Sequence, residues 1–171
     1  IYLKSENLQK TGSFKVRGAY AKIAQLSAEQ KKRGIIACSA GNHAQGVALS
    51  AQKSGIESTI FIPSTAPISK IEATKSYGAH IRLVDGVYDD AYNEAVKFQK
   101  ETGAEFIHPF DDIEVIAGQG TIALEILEQL PEVEAIIVPI GGGGLISGIA
   151  YTIKMLKPDC KVYGVQAAGA G

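Results

Sequence analysis

The sequence lacks a charge excess, a long apolar segment and more than two cysteines. Its 171 residues hold 17 Lys and Arg against 18 Asp and Glu, and the net charge of −1 gives no reason to expect nucleic acid or an anionic membrane as a partner. No apolar run reaches the ~18 residues that a membrane span requires. Cys38 and Cys160 fall in predicted strands, which favours buried free thiols over a disulfide and fits a reducing cytoplasm.

Strand-like and helix-like segments alternate along the whole chain. Glycines such as Gly55 and Gly103 close several of the helical runs, and Ser27 with Gln30 forms a predicted capping box at a helix start. The predicted strands are residues 1–4, 35–38, 58–62, 80–84, 105–108, 135–140 and 160–166. Because helical crossovers connect parallel strands, this alternation predicts an α/β fold with parallel sheets.

Lys15 stands out among the 14 lysines because of its surroundings. It follows a small polar turn, residues 11–13, and precedes a run with apolar residues at helical spacing. A lysine at a helix start, beside the ring of Phe14, feels the positive end of the helix dipole and partial burial, and both lower its pKa. A neutral amine suits Schiff-base chemistry, although an ordinary surface lysine can have the same local pattern.

Two loops between a strand and a helix have the composition of anion sites. One is Ser39-Ala40-Gly41-Asn42-His43, and the other is Gly141-Gly142-Gly143-Gly144, which precedes a helix starting at Leu145. Free backbone N–H groups converge at such helix starts, and glycine lets the backbone wrap an anion closely. The second loop has neither the spacing of a dinucleotide fingerprint nor the Gly-Lys-Ser/Thr of a Walker loop. Each loop is also compatible with an ordinary turn, the first with Asn42 as a helix cap.

A reactive lysine, a carboxylate-sized anion site and a phosphate-sized anion site are what a pyridoxal-phosphate enzyme requires. Five motifs span nearly the whole chain: Thr11-Gly12-Ser13-Phe14-Lys15-Val16-Arg17-Gly18-Ala19, Ser39-Ala40-Gly41-Asn42-His43-Ala44-Gln45-Gly46, His108-Pro109-Phe110-Asp111-Asp112, Ala117-Gly118-Gln119-Gly120-Thr121 and Gly141-Gly142-Gly143-Gly144-Leu145. On these motifs the chain resembles the fold-type II pyridoxal-phosphate enzymes, in the branch of the threonine/serine dehydratases (ammonia-lyases).

The resemblance implies a fold, a cofactor and a set of site residues. The fold would be α/β, with two parallel-sheet domains and flanking helices. Lys15 would be the catalytic residue, which holds pyridoxal 5′-phosphate and takes the Cα proton of the substrate. The cofactor-binding residues would be Phe14, Lys15, Asn42, Gly141, Gly142, Gly143, Gly144 and Leu145. The substrate carboxylate would bind at Ser39, Ala40, Gly41, Asn42 and His43, and no metal ligand is predicted.

The implied activity is α,β-elimination, which converts L-threonine to 2-oxobutanoate and ammonia and L-serine to pyruvate. Serine racemase, built on the same scaffold, is the alternative, and a non-catalytic phosphate- or nucleotide-binding module is the alternative from another class. Ala40 favours the dehydratase, because the racemase pattern has a second serine there whose hydroxyl can move a proton. The partner would be a small amino-acid substrate of a homo-oligomer acting in isoleucine biosynthesis or threonine catabolism.

The resemblance also implies a division into domains. Residues 36–112 would form a small mobile domain, and residues 1–35 with 113–171 would belong to a larger cofactor-binding domain. The family is longer than this chain, which has no starting Met, so the chain is expected to be trimmed at both ends. Its opening residues show no signal peptide, and a cytoplasmic enzyme is expected.

Smaller expectations concern residues around these motifs. Asp111-Asp112 is predicted to cap the helix that starts at Ile113. Glycine costs about 1 kcal/mol in a helix interior, so Gly118-Gln119-Gly120 predicts a close approach of backbone to a ligand or a partner helix. Arg17 is expected to brace the site or to pair with an acid, and His43 to hold the carboxylate or to structure its loop.

Overall fold

The computed structural model describes residues 1–170 as alternating strands and helices. The strands are β1 (Ile35–Cys38), β2 (Ser58–Pro63), β3 (His80–Val84), β4 (Glu105–Phe106), β5 (Ala135–Pro139) and β6 (Lys161–Val165). The helices are α1 (Lys15–Ala24), α2 (Ala28–Arg33), α3 (Asn42–Ser54), α4 (Ile68–Lys75), α5 (Tyr88–Thr102), α6 (Ile113–Gln129) and α7 (Gly144–Leu156). Short 3-10 turns cover Glu6–Leu8 and Ala168–Ala170.

The strands form two separate parallel sheets. Four strands pair in the order β3-β2-β1-β4, and β5 pairs with β6. Alternate side chains of β1 point to opposite faces of the first sheet, and both faces are covered. Ile35 and Ala37 pack with residues of α1 and α3, whereas Ile36 and Cys38 pack with Ala91 of α5. The parallel sheets with flanking helices confirm the predicted fold class.

Two of the predicted strands differ from the structure by more than one residue at an end, whereas β2, β5 and β6 differ by a single residue. Residues 1–4 form no strand in the described part of the chain: Tyr2 and Leu3 are 79% and 87% exposed, and Lys4 is held by an ion pair with Glu125. A β-rich sequence alone does not supply the neighbouring strand that pairing requires. β4 ends at Phe106 instead of residue 108, because Pro109 follows closely and has no N–H to continue the ladder.

Local signals at the helix ends agree with the structure in most places. The capping box of Ser27 and Gln30 is present. Asp112 caps α6 through Oδ1, which accepts N–H groups of the first turn at 2.9 and 3.2 Å, as predicted. Gly55 and Gly103 end their helices in the left-handed conformation. Asn42 is not the cap of α3, because Gly41 takes that position and Asn42 is the first helical residue.

Glycines bring four helices into backbone contact. A β-carbon at Gly46 of α3 would lie 3.1 Å from the carbonyl carbon of Lys15, at the start of α1. A β-carbon at Gly118 of α6 would lie 2.6 Å from Cα of Gly18 in α1, and one at Gly120 would lie 3.0 Å from a backbone oxygen in α7. This confirms the expected close approach at residues 118–120. These glycines therefore pack α3 and α6 against α1, and α7 against α6.

The two cysteines are buried free thiols, as predicted. Burial raises the pKa of Cys38 to about 11, so this thiol stays protonated near neutral pH. Across residues 1–170, no helix combines the length and apolar character needed to cross a membrane.

Candidate active site

Lys15 is the first residue of α1, and its side chain is partly buried. Its Nζ donates a hydrogen bond of 2.7 Å to the carbonyl oxygen of Pro109 and lies 5.4 Å from the centre of the Phe14 ring. Its backbone N–H donates to Oγ of Ser13 at 3.3 Å, which stabilises the turn before the helix. Burial lowers the pKa of Lys15, as the sequence predicted, and so raises the fraction of neutral amine.

Residues 141–144, the tetraglycine loop, connect β5 to α7. Gly143 has a φ of +87°, a left-handed conformation that glycine adopts without steric cost, and α7 begins at the next residue. A β-carbon at Gly141 or Gly143 would meet no atom within 4 Å, so the backbone is open at these two positions. The first N–H groups of α7 have no partner within the helix. The loop therefore offers donors and the positive end of a helix dipole to an anion.

Lys15 and the tetraglycine loop line the same cavity, whose volume is about 240 Å³. Its lining residues are Phe14, Lys15, Phe110, Pro139, Ile140, Gly141, Gly142, Gly143, Gly144 and Leu145. None of these ten residues is acidic, and Lys15 is the single charged side chain among them. The cavity thus combines an amine, two aromatic rings and a backbone suited to an anion.

The loop of residues 39–43 does not contribute to the lining of this cavity. Oγ of Ser39 accepts the N–H of Gly41 at 3.1 Å, and the side chain of Asn42 is exposed at the start of α3. His43 is only 4% exposed, and its Nε2 donates to the carbonyl oxygen of Ile107 at 2.7 Å. Burial lowers the pKa of His43 to about 4, so the ring is neutral and its Nδ1 carries no proton.

Residues 107–112, the bridging segment, contact both Lys15 in the cavity and His43 at the loop of residues 39–43. The carbonyl oxygen of Ile107 accepts from His43, and that of Pro109 accepts from Lys15. The segment also reaches the tetraglycine loop, because Phe110 packs against two of its glycines. The sequence identifies residues 108–112 as a dehydratase-like motif and Asp111-Asp112 as a helix cap, but it does not predict these contacts. The available signal was a His-Pro-Phe-Asp-Asp run directly after a strand.

His108 holds the bridging segment in its conformation. Its Nδ1 accepts the backbone N–H groups of Phe110 at 3.3 Å and Asp111 at 2.8 Å. Because an N–H can only donate, Nδ1 is unprotonated and the proton of the neutral ring lies on Nε2. Burial lowers the pKa of His108, which agrees with a neutral ring. The sequence placed His108 in a strand, whereas it lies in the turn after β4.

Arg17 lies two residues after Lys15, about 200° around the helix. Its guanidinium forms ion pairs with Glu6 at 2.8 Å and with Glu125 at 2.6 Å, and it donates to Oγ1 of Thr121 at 3.1 Å. The hydrogen bond from Arg17 lowers the pKa of Glu125 to about 2. These contacts tie α1 to α6, so of the two predicted roles for Arg17 the pairing with an acid is confirmed.

Comparison with known proteins gives the family to which these features belong. The family described as "Pyridoxal-phosphate dependent enzyme" matches residues 1–171. This chain belongs to that family. The resemblance to pyridoxal-phosphate enzymes that the motifs carry is thereby confirmed.

Several members of the pyridoxal-phosphate-dependent family are similar to this chain over nearly all of its length. The L-threonine ammonia-lyase of Thermotoga maritima is 61% identical over 166 residues, which are 97% of this chain and 41% of that protein. The processed form of threonine deaminase isoform 2 from Solanum lycopersicum has a TM-score of 0.96 at 44% identity, with 99% of this chain and 47% of that chain covered. Maize serine racemase has a TM-score of 0.93 at 46% identity, with 96% and 50% covered. The chain thus spans about half the length of the proteins it matches.

The cavity fits pyridoxal 5′-phosphate, the cofactor of the family. The cofactor needs an amine for its aldehyde and hydrogen-bond donors for its phosphate, and Lys15 and the tetraglycine loop supply these in one cavity. The open backbone at Gly141 and Gly143 leaves room for an anion. The lack of acidic side chains among the lining residues removes a source of repulsion.

Proposed function

We propose that this chain provides the lysine-bearing and phosphate-binding part of a pyridoxal-phosphate-dependent L-threonine ammonia-lyase. The reaction would convert L-threonine to 2-oxobutanoate and ammonia, and L-serine to pyruvate, by α,β-elimination. The observation that carries this proposal is the single cavity lined by both Lys15 and the tetraglycine loop. The similarity to proteins named L-threonine ammonia-lyase and threonine deaminase supports the substrate class.

Lys15 would serve twice, first by holding the cofactor through Nζ and then by taking the Cα proton of the substrate at the same atom. When bound, pyridoxal phosphate supplies an electron sink that makes this Cα–H bond acidic. Nζ accepts a proton only as a neutral amine, and burial lowers the pKa of Lys15 in that direction. While Nζ is free, the carbonyl oxygen of Pro109 at 2.7 Å keeps it in place.

The two loops would bind the two anionic groups. Gly141, Gly142, Gly143, Gly144 and Leu145 would hold the phosphate through backbone N–H groups, with Phe14 packed on the cofactor ring and Asn42 as a further cofactor contact. Ser39, Ala40, Gly41, Asn42 and His43 would bind the substrate carboxylate at the start of α3. His43 would contribute its backbone there, since Nε2 of its ring is bound to Ile107.

The remaining features of the proposal concern the whole protein. Residues 36–112 would form a small mobile domain, and residues 1–35 with 113–171 would belong to a larger one. In support of this, β5 and β6 form a sheet separate from the four-stranded sheet. The protein would act as a cytoplasmic homo-oligomer, in isoleucine biosynthesis or threonine catabolism.

The deciding experiment measures 2-oxobutanoate released from L-threonine and the yellow absorbance of the bound cofactor, in the natural full-length protein. Lys15→Ala should abolish both while the unfolding transition persists, because the variant loses the amine and keeps the surrounding contacts. Lys10→Ala, at an exposed lysine close to the same turn, is the matched control and should keep both. Full absorbance in Lys15→Ala would rule out the assignment of Lys15.

Serine racemase is the second candidate, supported by the similarity to the maize enzyme. Racemisation needs a proton on the face of the substrate opposite Lys15, and Ala40 has no group that can supply it. We therefore expect ammonia release from L-serine to exceed D-serine formation by a wide margin. Ala40→Ser should raise the D-serine fraction. Comparable rates of both products in the unaltered protein would favour the racemase.

A further inference from the structure

The four glycines of the tetraglycine loop have two different kinds of surroundings. A β-carbon at Gly142 would lie 2.5 Å from Cγ and 2.7 Å from Cε1 of Phe110. One at Gly144 would lie 2.9 Å from both Cα and the backbone oxygen of Phe110. At Gly141 and Gly143, by contrast, a β-carbon would meet no atom within 4 Å. Two glycines therefore make room for Phe110, and two leave the backbone open.

Phe110 reaches the loop from a well-anchored segment. Its backbone N–H donates to Nδ1 of His108, and the two rings pack edge to face with centroids 4.8 Å apart. The preceding carbonyl, of Pro109, accepts from Lys15, and Asp112 caps α6. Phe110 is 37% exposed and lines the cavity. It thus lies on the tetraglycine loop while its backbone is held by the elements around Lys15.

We propose that Phe110 is a positioning residue that fixes the conformation of the tetraglycine loop, and with it the phosphate-binding N–H groups. This rests on the proposed function, since it assumes that the loop binds the cofactor phosphate. Gly142 and Gly144 receive Phe110, whereas Gly141 and Gly143 remain open to the ligand. A glycine loop without such a support samples many conformations, and ordering it would cost binding free energy.

The test compares pyridoxal 5′-phosphate with pyridoxal, which lacks the phosphate. Dissociation constants for both are measured from the absorbance of the bound ligand in the natural full-length protein. Phe110→Ala should weaken binding of pyridoxal 5′-phosphate about tenfold and binding of pyridoxal less than about twofold, since only the preorganised phosphate loop is lost. A Phe110 that merely packs against the ligand ring would affect both ligands alike.

Further variants separate support of the loop from a general effect on the fold. Phe110→Tyr keeps the ring and should retain the preference for pyridoxal 5′-phosphate over pyridoxal. Tyr88→Ala removes an aromatic ring that is 45% exposed and does not line the cavity, so both dissociation constants should stay unchanged. Gly142→Ala should weaken phosphate-dependent binding, because its methyl group overlaps Phe110. Phe110→Ala combined with Gly142→Ala should bind more tightly than Gly142→Ala alone.

The outcomes distinguish this inference from the proposed function. If the unaltered protein binds pyridoxal as tightly as pyridoxal 5′-phosphate, the loop is not a phosphate site and the proposed function fails. If it prefers the phosphorylated ligand and Phe110→Ala retains the full preference, the role of Phe110 is refuted and the proposed function stands. Should the alanine variant not fold, Phe110→Leu, which keeps apolar bulk without a flat ring, provides the same comparison.

Discussion

Gly141 allows the binding role of the tetraglycine loop to be tested apart from its folding role. Its φ is not positive, and a β-carbon there would meet no atom within 4 Å, so Gly141→Ala should change the free energy of unfolding by less than about 0.5 kcal/mol. The added methyl group lies in the cavity lining, and we expect it to weaken binding of pyridoxal 5′-phosphate several-fold. Absorbance titration and urea unfolding of the same preparation measure the two quantities.

Gly143→Ala is the contrasting variant for this prediction. Its φ of +87° is unfavourable for any residue with a β-carbon, so this variant should lose about 1 kcal/mol of stability. A change at either glycine that lowers stability and leaves cofactor affinity intact would mean that the loop is only a turn. In Gly141→Ala, whose stability should not change, an unaltered affinity for pyridoxal 5′-phosphate would also show that the loop does not bind the cofactor.

Residue types and local spacing predicted some side chains of the candidate site and not others. Lys15 and the tetraglycine loop are recognisable in the sequence because each lies at the start of a helix. In the structure the two line one cavity. The partner of the His43 ring is 64 residues away, and that of the Lys15 amine is 94 residues away. Such partners depend on how β4 and its following turn lie beside β1, which no local pattern contains. The contact of Phe110 with the loop was missed for the same reason.

At the scale of elements, local signals were reliable where a cap or a buried run defines the boundary. β1, whose four residues are all buried, has the predicted bounds, and Ser27 and Asp112 cap their helices as expected. The strand predicted for residues 1–4 failed because these residues find an ion pair to α6 instead of a neighbouring strand. A close approach of residues 118–120 to a ligand or a partner helix was predicted from glycines alone, since glycine in a helix interior is costly without such a contact, and the structure shows α1 and α7 as the partners.

The packing of α3 against α1 gives a prediction about Lys15. A β-carbon at Gly46 would lie 3.0 to 3.2 Å from Val16 N and from the carbonyl group of Lys15, so Gly46→Ala should displace this backbone by a few tenths of an ångström. The helix propensity of alanine offsets part of the overpacking, and the net stability change should stay within about 1 kcal/mol. Because Lys15 is displaced, we expect kcat to fall several-fold, as measured by steady-state kinetics.

Gly118→Ala provides the comparison for the Gly46 variant. Its β-carbon would lie 2.6 to 2.7 Å from backbone atoms of Gly18 and Arg17, too close for a small adjustment. This variant should lose about 2 kcal/mol or more in urea unfolding. Equal losses of stability in both variants, or an unchanged kcat in Gly46→Ala, would show that the contact of α3 with α1 does not position Lys15.

At the scale of the whole molecule, the buried His43 should make stability depend on pH. In the unfolded chain its pKa is near 6.5, whereas burial lowers the pKa to about 4 in the folded protein, next to the like charge of Lys15. Between these values the unfolded state binds a proton that the folded state does not, so stability must decrease as the pH falls. A pKa gap of this size corresponds to a loss of about 3 kcal/mol between pH 7 and pH 4.

Urea unfolding of the cofactor-free protein at pH 7, 6 and 5 measures this dependence. His43→Gln keeps an N–H donor for Ile107 and does not titrate, so its stability should change less over this range than that of the unaltered protein. His108, whose pKa is also lowered by burial, accounts for a remaining slope. Glu125 does not interfere, because its pKa falls from 4.5 to about 2 and its contribution is lost only at lower pH. His80→Gln, at an exposed histidine, is the control and should keep the pH dependence of the unaltered protein. If His43→Gln also keeps that pH dependence, the buried ring is not the source of the loss of stability.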